Sequence, residues 1–244
     1  MPYPMDMPTA TVLDRFSHIF GDRRGLPKAL CERRRVENLR RAGSLIEVLT
    51  GGKLSPGESL LVAGGRGSQG HLCNQILSDF IDQGESCLLV SPTPIEASIA
   101  SNQVMDLTSS RAGELLSLLI IEGDEKALMA SLLGEIGAHP VVCVDTLDAL
   151  ATRTGDLSVV TFSRLLEESR KWGTNLIIVK RTKPTFRPSW RQQLELEGLL
   201  SLADHAGAIT EEPTGVLSWD GGRWEDQSEV TPLYFDTQTH VVST

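Results

Sequence analysis

The sequence predicts an α/β protein with a mostly parallel twisted sheet, helices on both faces, and antiparallel strands at its C-terminal end. Three observations point there. Short apolar runs of strand length, Leu60–Ala63, Cys87–Val90, Val141–Val144 and Leu176–Val179, lack polar alternation, as expected of strands covered on both faces. Segments with helical apolar spacing lie between them, the pattern of parallel strands joined by crossovers. From Gly207 onward the chain changes to short runs divided by Gly, Asp and Pro turns, which reads as antiparallel hairpins.

Composition narrows the function classes. With 244 residues, 40% of them hydrophobic, the chain can bury one large core. A formal charge of −9 and a pI near 5.1 argue against a protein that coats nucleic acid non-specifically, while leaving room for a local basic patch. Cys31, Cys73, Cys87 and Cys143 form no C-x-x-C pair and have no histidine at zinc spacing. They are expected to be free core thiols in a reducing compartment, and no metal site is expected. No run reaches the apolar length of a membrane span and no signal-peptide block opens the chain, so no membrane partner is expected and the expected location is cytoplasmic.

Taken in order, residues 1–43 read as a helical extension. Val12, Leu13, Phe16, Ile19 and Phe20 fall near helical spacing, Asp22 to Pro27 break the pattern, and a second helix is expected over Ala29–Leu49. Arg33, Arg34, Arg35, Arg40 and Arg41 on that helix are either a solvated face or a docking surface. Residues 44–244 read as the core domain. A glycine turn at Gly51-Gly52 and a Pro56-Gly57 turn deliver the chain into the strand Leu60–Ala63. A helix is expected from Gln69 to Gln83, with Leu72, Ile76, Leu77, Phe80 and Ile81 inward. The strand at 86–90 precedes a helix from Thr93 or Pro94 to Asn102, Pro94 suiting a first helical turn. Leu115 to Ile121 is ambiguous between helix end and strand, and Glu125 to Ile136 reads as a helix. The strand ending at Asp145 is followed by a loop over 151–157 and a helix from Val159 to Trp172, with Val160, Phe162, Leu165, Leu166 and Ser169 as its inner face. Asn175–Val179 is the next buried strand, Leu194 to Ala203 reads as helical, and the closing strands fall near 207–210, 215–219, 232–235 and 240–242.

The stretch around which the chain is organised is Gly64-Gly65-Arg66-Gly67-Ser68-Gln69-Gly70-His71, a glycine-rich turn between a buried strand and a helix. A phosphate-binding loop needs that geometry, because glycines let backbone N–H groups close around phosphates beside a helix N-terminus. It also needs G-x-x-x-x-G-K-[ST]. Counting from Gly64, the second glycine falls on Gln69, the lysine on Gly70 and the hydroxyl on His71.

The approach through Gly51-Gly52, Leu54 and Pro56-Gly57 to this loop resembles the RecA superfamily of ATPases, most closely its KaiC-like and RadA-like branches. Asp145-Thr146-Leu147-Asp148-Ala149-Leu150 is similar to the family's Walker B continuation, and Leu202-Ala203-Asp204 followed by Ile209 is similar to the segment that opens its closing strands. The resemblance runs from about residue 44 to the end. It implies a RecA-like sheet and places Asp145 where the family orders Mg²⁺, although an aspartate at a strand end can equally cap the next turn. Family hydrolysis also uses the loop lysine, a hydroxyl and a water-activating acid after the second strand. Here that strand runs into Ser91-Pro92-Thr93-Pro94, and Glu96 comes later, inside the expected helix. Arg66 or Lys180 could offset one such departure, but not three. The loop is therefore read as a degenerate P-loop with no catalytic residues and no cofactor, ATP with Mg²⁺ being the alternative.

Lys180-Arg181-Thr182-Lys183-Pro184-Thr185-Phe186-Arg187-Pro188-Ser189-Trp190-Arg191 is the other candidate surface. Lys180, Arg181, Lys183, Arg187 and Arg191, interleaved with Phe186 and Trp190, suit backbone contacts and base stacking, or a protein interface. In RecA-like recombinases the corresponding loop contacts single-stranded DNA. The resemblance implies side-by-side assembly, and RecA-like subunits of Elongator and recombinase paralogs serve as scaffolds without Walker chemistry. The expected function is a pseudo-ATPase subunit that forms homo- or hetero-oligomers with RecA-like partners. The alternatives are a DNA- or RNA-binding accessory protein and a divergent nucleotide-binding ATPase.

Overall fold

The computed structural model describes residues 45–50, 54–64, 68–108, 112–121, 125–155, 157–181, 190–211, 216–223, 231–235 and 242–243. The helical extension expected over residues 1–43 lies outside them. Helix α1 (Leu45–Thr50) precedes β1 (Ser59–Gly64), α2 (Ser68–Asp82), β2 (Cys87–Ser91) and α3 (Pro94–Leu107). The single turn α4 (Ala112–Leu115) leads into β3 (Leu116–Ile120), α5 (Glu125–Ile136), β4 (Val141–Val144), α6 (Leu147–Thr154), α7 (Ser158–Trp172) and β5 (Asn175–Arg181). Helix α8 (Trp190–Leu202) precedes the closing strands β6 (His205–Glu211), β7 (Val216–Arg223), β8 (Thr231–Phe235) and β9 (Val242–Ser243).

One sheet in the order β3-β2-β4-β5-β1-β6-β7-β8-β9 holds these strands. Every pairing from β3 to β6 is parallel, and β6 to β9 are antiparallel, as the sequence pattern predicts. The apolar runs explain the placement: all residues of β1, β2 and β4 are buried, since each strand has helices on both sides. Strand alternation sends Leu60, Val62, Leu89, Cys143, Ile177 and Val179 into a core beneath α1, α2 and α3. Leu61, Val90, Val142, Val144, Leu176 and Ile178 enter a second core beneath α5 to α8.

The ambiguous stretch at 115–121 resolves into the edge strand β3, paired with β2 from Cys87↔Leu116 to Ser91↔Ile120. Two expectations need correction. The segment 151–157 is not a loop throughout, because α6 continues to Thr154 before Gly155 stops it at φ 65°. Leu147, Leu150 and Ala151 are buried there, so packing holds a helix that composition obscured. On α7, Val160 is exposed and Thr161 is buried in its place, alongside the expected Phe162, Leu165, Leu166 and Ser169.

Local chemistry fixes the element ends. The N–H of Glu96 donates to Thr93 Oγ1 at 3.2 Å and Pro94 opens the helix, so α3 starts with a threonine N-cap and a proline where no N–H is needed. Gly57 turns into β1 at φ +83°, where a Cβ would lie 3.3 Å from the Arg170 Cα. At the start of β1, the N–H and hydroxyl of Ser59 both donate to Asp204 Oδ2, at 2.9 and 2.8 Å. The Asp204 N–H returns a bond to Ser59 Oγ at 3.1 Å, and Arg170 Nη2 donates to Asp204 Oδ1 at 3.0 Å. Asp204 thus ties the starts of β1 and β6 together.

Candidate functional site at the carboxyl edge of the sheet

Parallel strands place their carboxyl ends on one edge, and ligand crevices open where adjacent strands send their connections to opposite faces. Two such places adjoin here. Strand β2 feeds α3 on one face while neighbouring β4 feeds α6 on the other; β1 feeds α2 while neighbouring β5 feeds α8. Gly64 at the end of β1 is in register with Arg181 on β5 and Ile209 on β6. Asp145 follows β4 and donates its N–H to Val90 O at 2.8 Å, which continues the β2–β4 pairing and sets Asp145 beside Ser91.

Alternation decides which side chains meet. Arg181 follows Ile177 and Val179 onto the α2–α3 face, and its Nη2 lies 3.6 Å from Asp145 Oδ1 and 3.3 Å from Glu96 Oε1. Burial raises the Asp145 carboxyl above its ordinary value; the Arg181 guanidinium lowers it and Glu96 raises it further, with burial prevailing. The Ser91 hydroxyl is fully buried and has no hydrogen-bond partner among the described residues. Thr146, next to Asp145, is held at φ 81°, ψ 82°, a left-handed conformation costly for a β-branched residue, and its hydroxyl donates to Asp145 Oδ1 at 3.3 Å.

Lys180 goes to the other face. Its Nζ pairs directly with Asp148 Oδ1 and lies 3.5 Å from Glu195 Oε1 and 3.4 Å from Ser158 Oγ, joining β5 to α6, α7 and α8. Burial would raise the Glu195 carboxyl, but hydrogen bonds from Ser158 and the Lys180 ammonium outweigh it and hold Glu195 below its ordinary value.

The candidate residues are therefore distributed as follows. Of the glycine-rich loop, Gly64 ends β1, Ser68 to His71 lie in the first turns of α2, and Gly65, Arg66 and Gly67 lie outside the described residues. Gly70 has open space around it, since a Cβ there meets nothing within 4 Å. Asp145 stands at the strand end as expected. Of the basic segment, Lys180 and Arg181 belong to β5, which is two residues longer than the sequence suggests, and Trp190 and Arg191 open α8. Lys183, Phe186 and Arg187 lie outside the described residues. The expectation that Lys180 could stand in for a loop cation is corrected: the residue that turns toward Asp145 is Arg181, because alternation sends Lys180 to the opposite face. Sequence reasoning missed the acids that meet these cations, Glu96 for Arg181 and Asp148 with Glu195 for Lys180. The period-two pattern of β5 carried that signal.

Cys73, Cys87 and Cys143 are free and buried. A hydrogen bond with Cys73 and then burial raise the Cys143 thiol well above its ordinary value, and burial pushes Cys87 up to about 12. Held protonated in this way, Cys87 and Cys143 are poor nucleophiles. Among the described residues, no group of three or more His, Cys, Asp or Glu side chains could hold a metal ion, and no helix is long and apolar enough to cross a membrane.

No protein-family profile matches the chain, and no curated protein matches it. Among solved structures, the RadB recombinase is similar with a TM-score of 0.58 and 15% identity, over 81% of this chain and 94% of that one. The fold is RecA-like, as the sequence resemblance implied.

Proposed function

We propose that this chain is a non-catalytic RecA-like subunit that works by assembly, with copies of itself or with another RecA-like chain, in a regulatory or scaffolding role. The ion pair between Arg181 and Asp145 carries this reading. A strand-end carboxylate that orders Mg²⁺ beside phosphates must be open to the metal. Here it is bound to a cation of its own sheet, and Glu96 is engaged by the same guanidinium. The lysine and hydroxyl positions of a phosphate loop hold Gly70 and His71, which supply neither group. A Cβ at Gly70 would meet nothing within 4 Å, so the absence of a side chain there does not follow from a clash at that point. Two carboxylates around one guanidinium leave a net negative charge, which repels phosphates. With Arg181 paired to both carboxylates, this edge offers a poor place for Mg²⁺ beside a nucleoside triphosphate.

Nucleic-acid binding through residues 180–191 has less support, since Lys180 and Arg181 are already paired with acids inside the fold. The test combines light scattering after size exclusion with ATP titration at millimolar concentration, with and without Mg²⁺. A self-assembled species, or a complex with another RecA-like chain, and no nucleotide binding are expected. A protein that stays monomeric and captures no RecA-like chain overturns the assembly reading. ATP hydrolysis that disappears in Asp145→Asn overturns the non-catalytic one.

A further inference from the structure

We infer that Arg181 is a built-in counter-ion, a guanidinium standing where a divalent cation would otherwise sit among Asp145, Glu96 and Ser91, and closing that place to metal ions. The inference rests on the non-catalytic reading of the same edge and adds the residue that enforces it.

Three elements bring oxygen donors to one place. Asp145 comes from the end of β4 with a side chain 15% exposed, Glu96 from the first turn of α3, and Ser91 from the end of β2. Arg181 Nη2 lies 3.6 Å from Asp145 and 3.3 Å from Glu96. The Ser91 hydroxyl lies beside Asp145 by strand register, on the same face by alternation, fully buried and without a partner among the described residues. Two carboxylates and a hydroxyl are the donor chemistry of a hard divalent cation with its remaining positions filled by water. A buried hydroxyl left unbonded costs stability, and Arg181 does not supply its partner.

Charge decides who holds the place. The guanidinium is tethered to β5 and presents several N–H donors in one plane, facing both carboxylates. A divalent ion arriving beside it would meet a like charge a few ångströms away and would have to displace a tethered competitor. A bare carboxylate pair would have no such guard.

The test uses the full chain and Mn²⁺ as the probe, followed by its paramagnetic resonance signal during titration. The parent should show no saturable Mn²⁺ binding at millimolar concentration, and Arg181→Ala should bind at least tenfold more tightly than the parent. That binding should vanish in Arg181→Ala combined with Asp145→Asn. Arg181→Ala that is folded by circular dichroism and binds no better than the parent overturns the inference. Parent binding as tight as the variant's, and lost in Asp145→Asn, overturns it too. Should Arg181→Ala fail to fold, a triple variant adding Glu96→Gln and Asp145→Asn decides the matter. Its folding supports a counter-ion role, whereas its failure makes Arg181 a packing residue and overturns it. These outcomes are separable from the function above: a parent without ATP hydrolysis alongside an Arg181→Ala variant without Mn²⁺ binding sinks the counter-ion and leaves the non-catalytic reading standing.

Discussion

Lys180 and Arg181 are consecutive in β5, yet they pair with acids on opposite faces of the sheet, Lys180 with Asp148 and Glu195 and Arg181 with Glu96 and Asp145. One strand therefore supplies one cation to each of two separate pairs of carboxylates at its carboxyl end. On one face the cation lies at the edge, in register with Gly64; on the other it is only 12% exposed and links three helices. The same dipeptide that looks like the start of a basic surface is paired with acids of its own fold.

The Lys180 cluster should carry stability. Lys180→Met keeps the apolar stem and removes the charge, leaving Asp148 and Glu195 facing each other without a counter-ion. Losing one partner of a well-buried pair costs about 3–5 kcal/mol, and the partial exposure of Asp148 brings the expected loss to about 1–3 kcal/mol. Urea denaturation at neutral pH reads this directly. A variant as stable as the parent would show that the cluster is held by packing alone.

Asp204 makes a sharper contrast. Asp204→Ala strands the buried Ser59 N–H and removes the Arg170 partner, an expected loss of about 2–4 kcal/mol. Asp204→Asn keeps an acceptor for Ser59 and should recover more than half of it. Chemical denaturation of both variants checks the order; an Asn variant as weak as Ala would make the negative charge, not the hydrogen bonds, the working part.

What could be read in the sequence follows from how locally each feature is determined. The parallel core was legible because Leu60–Ala63 and Val141–Val144 need burial on both faces wherever they sit, and α3 was legible because Thr93, Pro94 and Glu96 carry their own start signal. The helix at Thr152–Thr154 was not, because only the burial of Leu147, Leu150 and Ala151 outweighs the weak propensity of its last turn. The carboxyl edge was half legible. Asp145 and Gly64 follow from position along the chain, whereas the partnership of Glu96 and Arg181 joins residues 85 apart and depends on strand order. A run of cations such as 180–191 reads as a surface until the length of β5 is known, since two more strand residues turn two of them inward.

Asp145 predicts a signed pH effect. Burial holds its carboxyl above the ordinary value of 3.8 in the folded state. Between that value and the raised one, the native state binds more protons than the unfolded chain, so this group's contribution to stability falls as pH rises through the window. Asp145→Asn removes the contribution. The stability of the variant relative to the parent should therefore improve as pH rises from about 4 toward neutrality. Urea midpoints at a series of pH values measure it, and a relative stability that worsens with rising pH would mean that the Arg181 pair outweighs burial.

Thr146 should invert the usual ranking of alanine over glycine. At φ 81°, ψ 82° the backbone crowds any Cβ, and the cost for an L-residue is about 1–2 kcal/mol. Thr146→Ala and Thr146→Gly both lose the hydroxyl that donates to Asp145, but only alanine keeps the crowded Cβ. In an ordinary helix or strand, glycine is the weaker of the two by about 0.5–1 kcal/mol. Here Thr146→Gly should be the more stable variant, by about 1 kcal/mol after its larger unfolded-state entropy is counted. Denaturation of the two variants side by side gives the answer, and alanine proving more stable would show that the chain relaxes at this position and stores no strain beside Asp145.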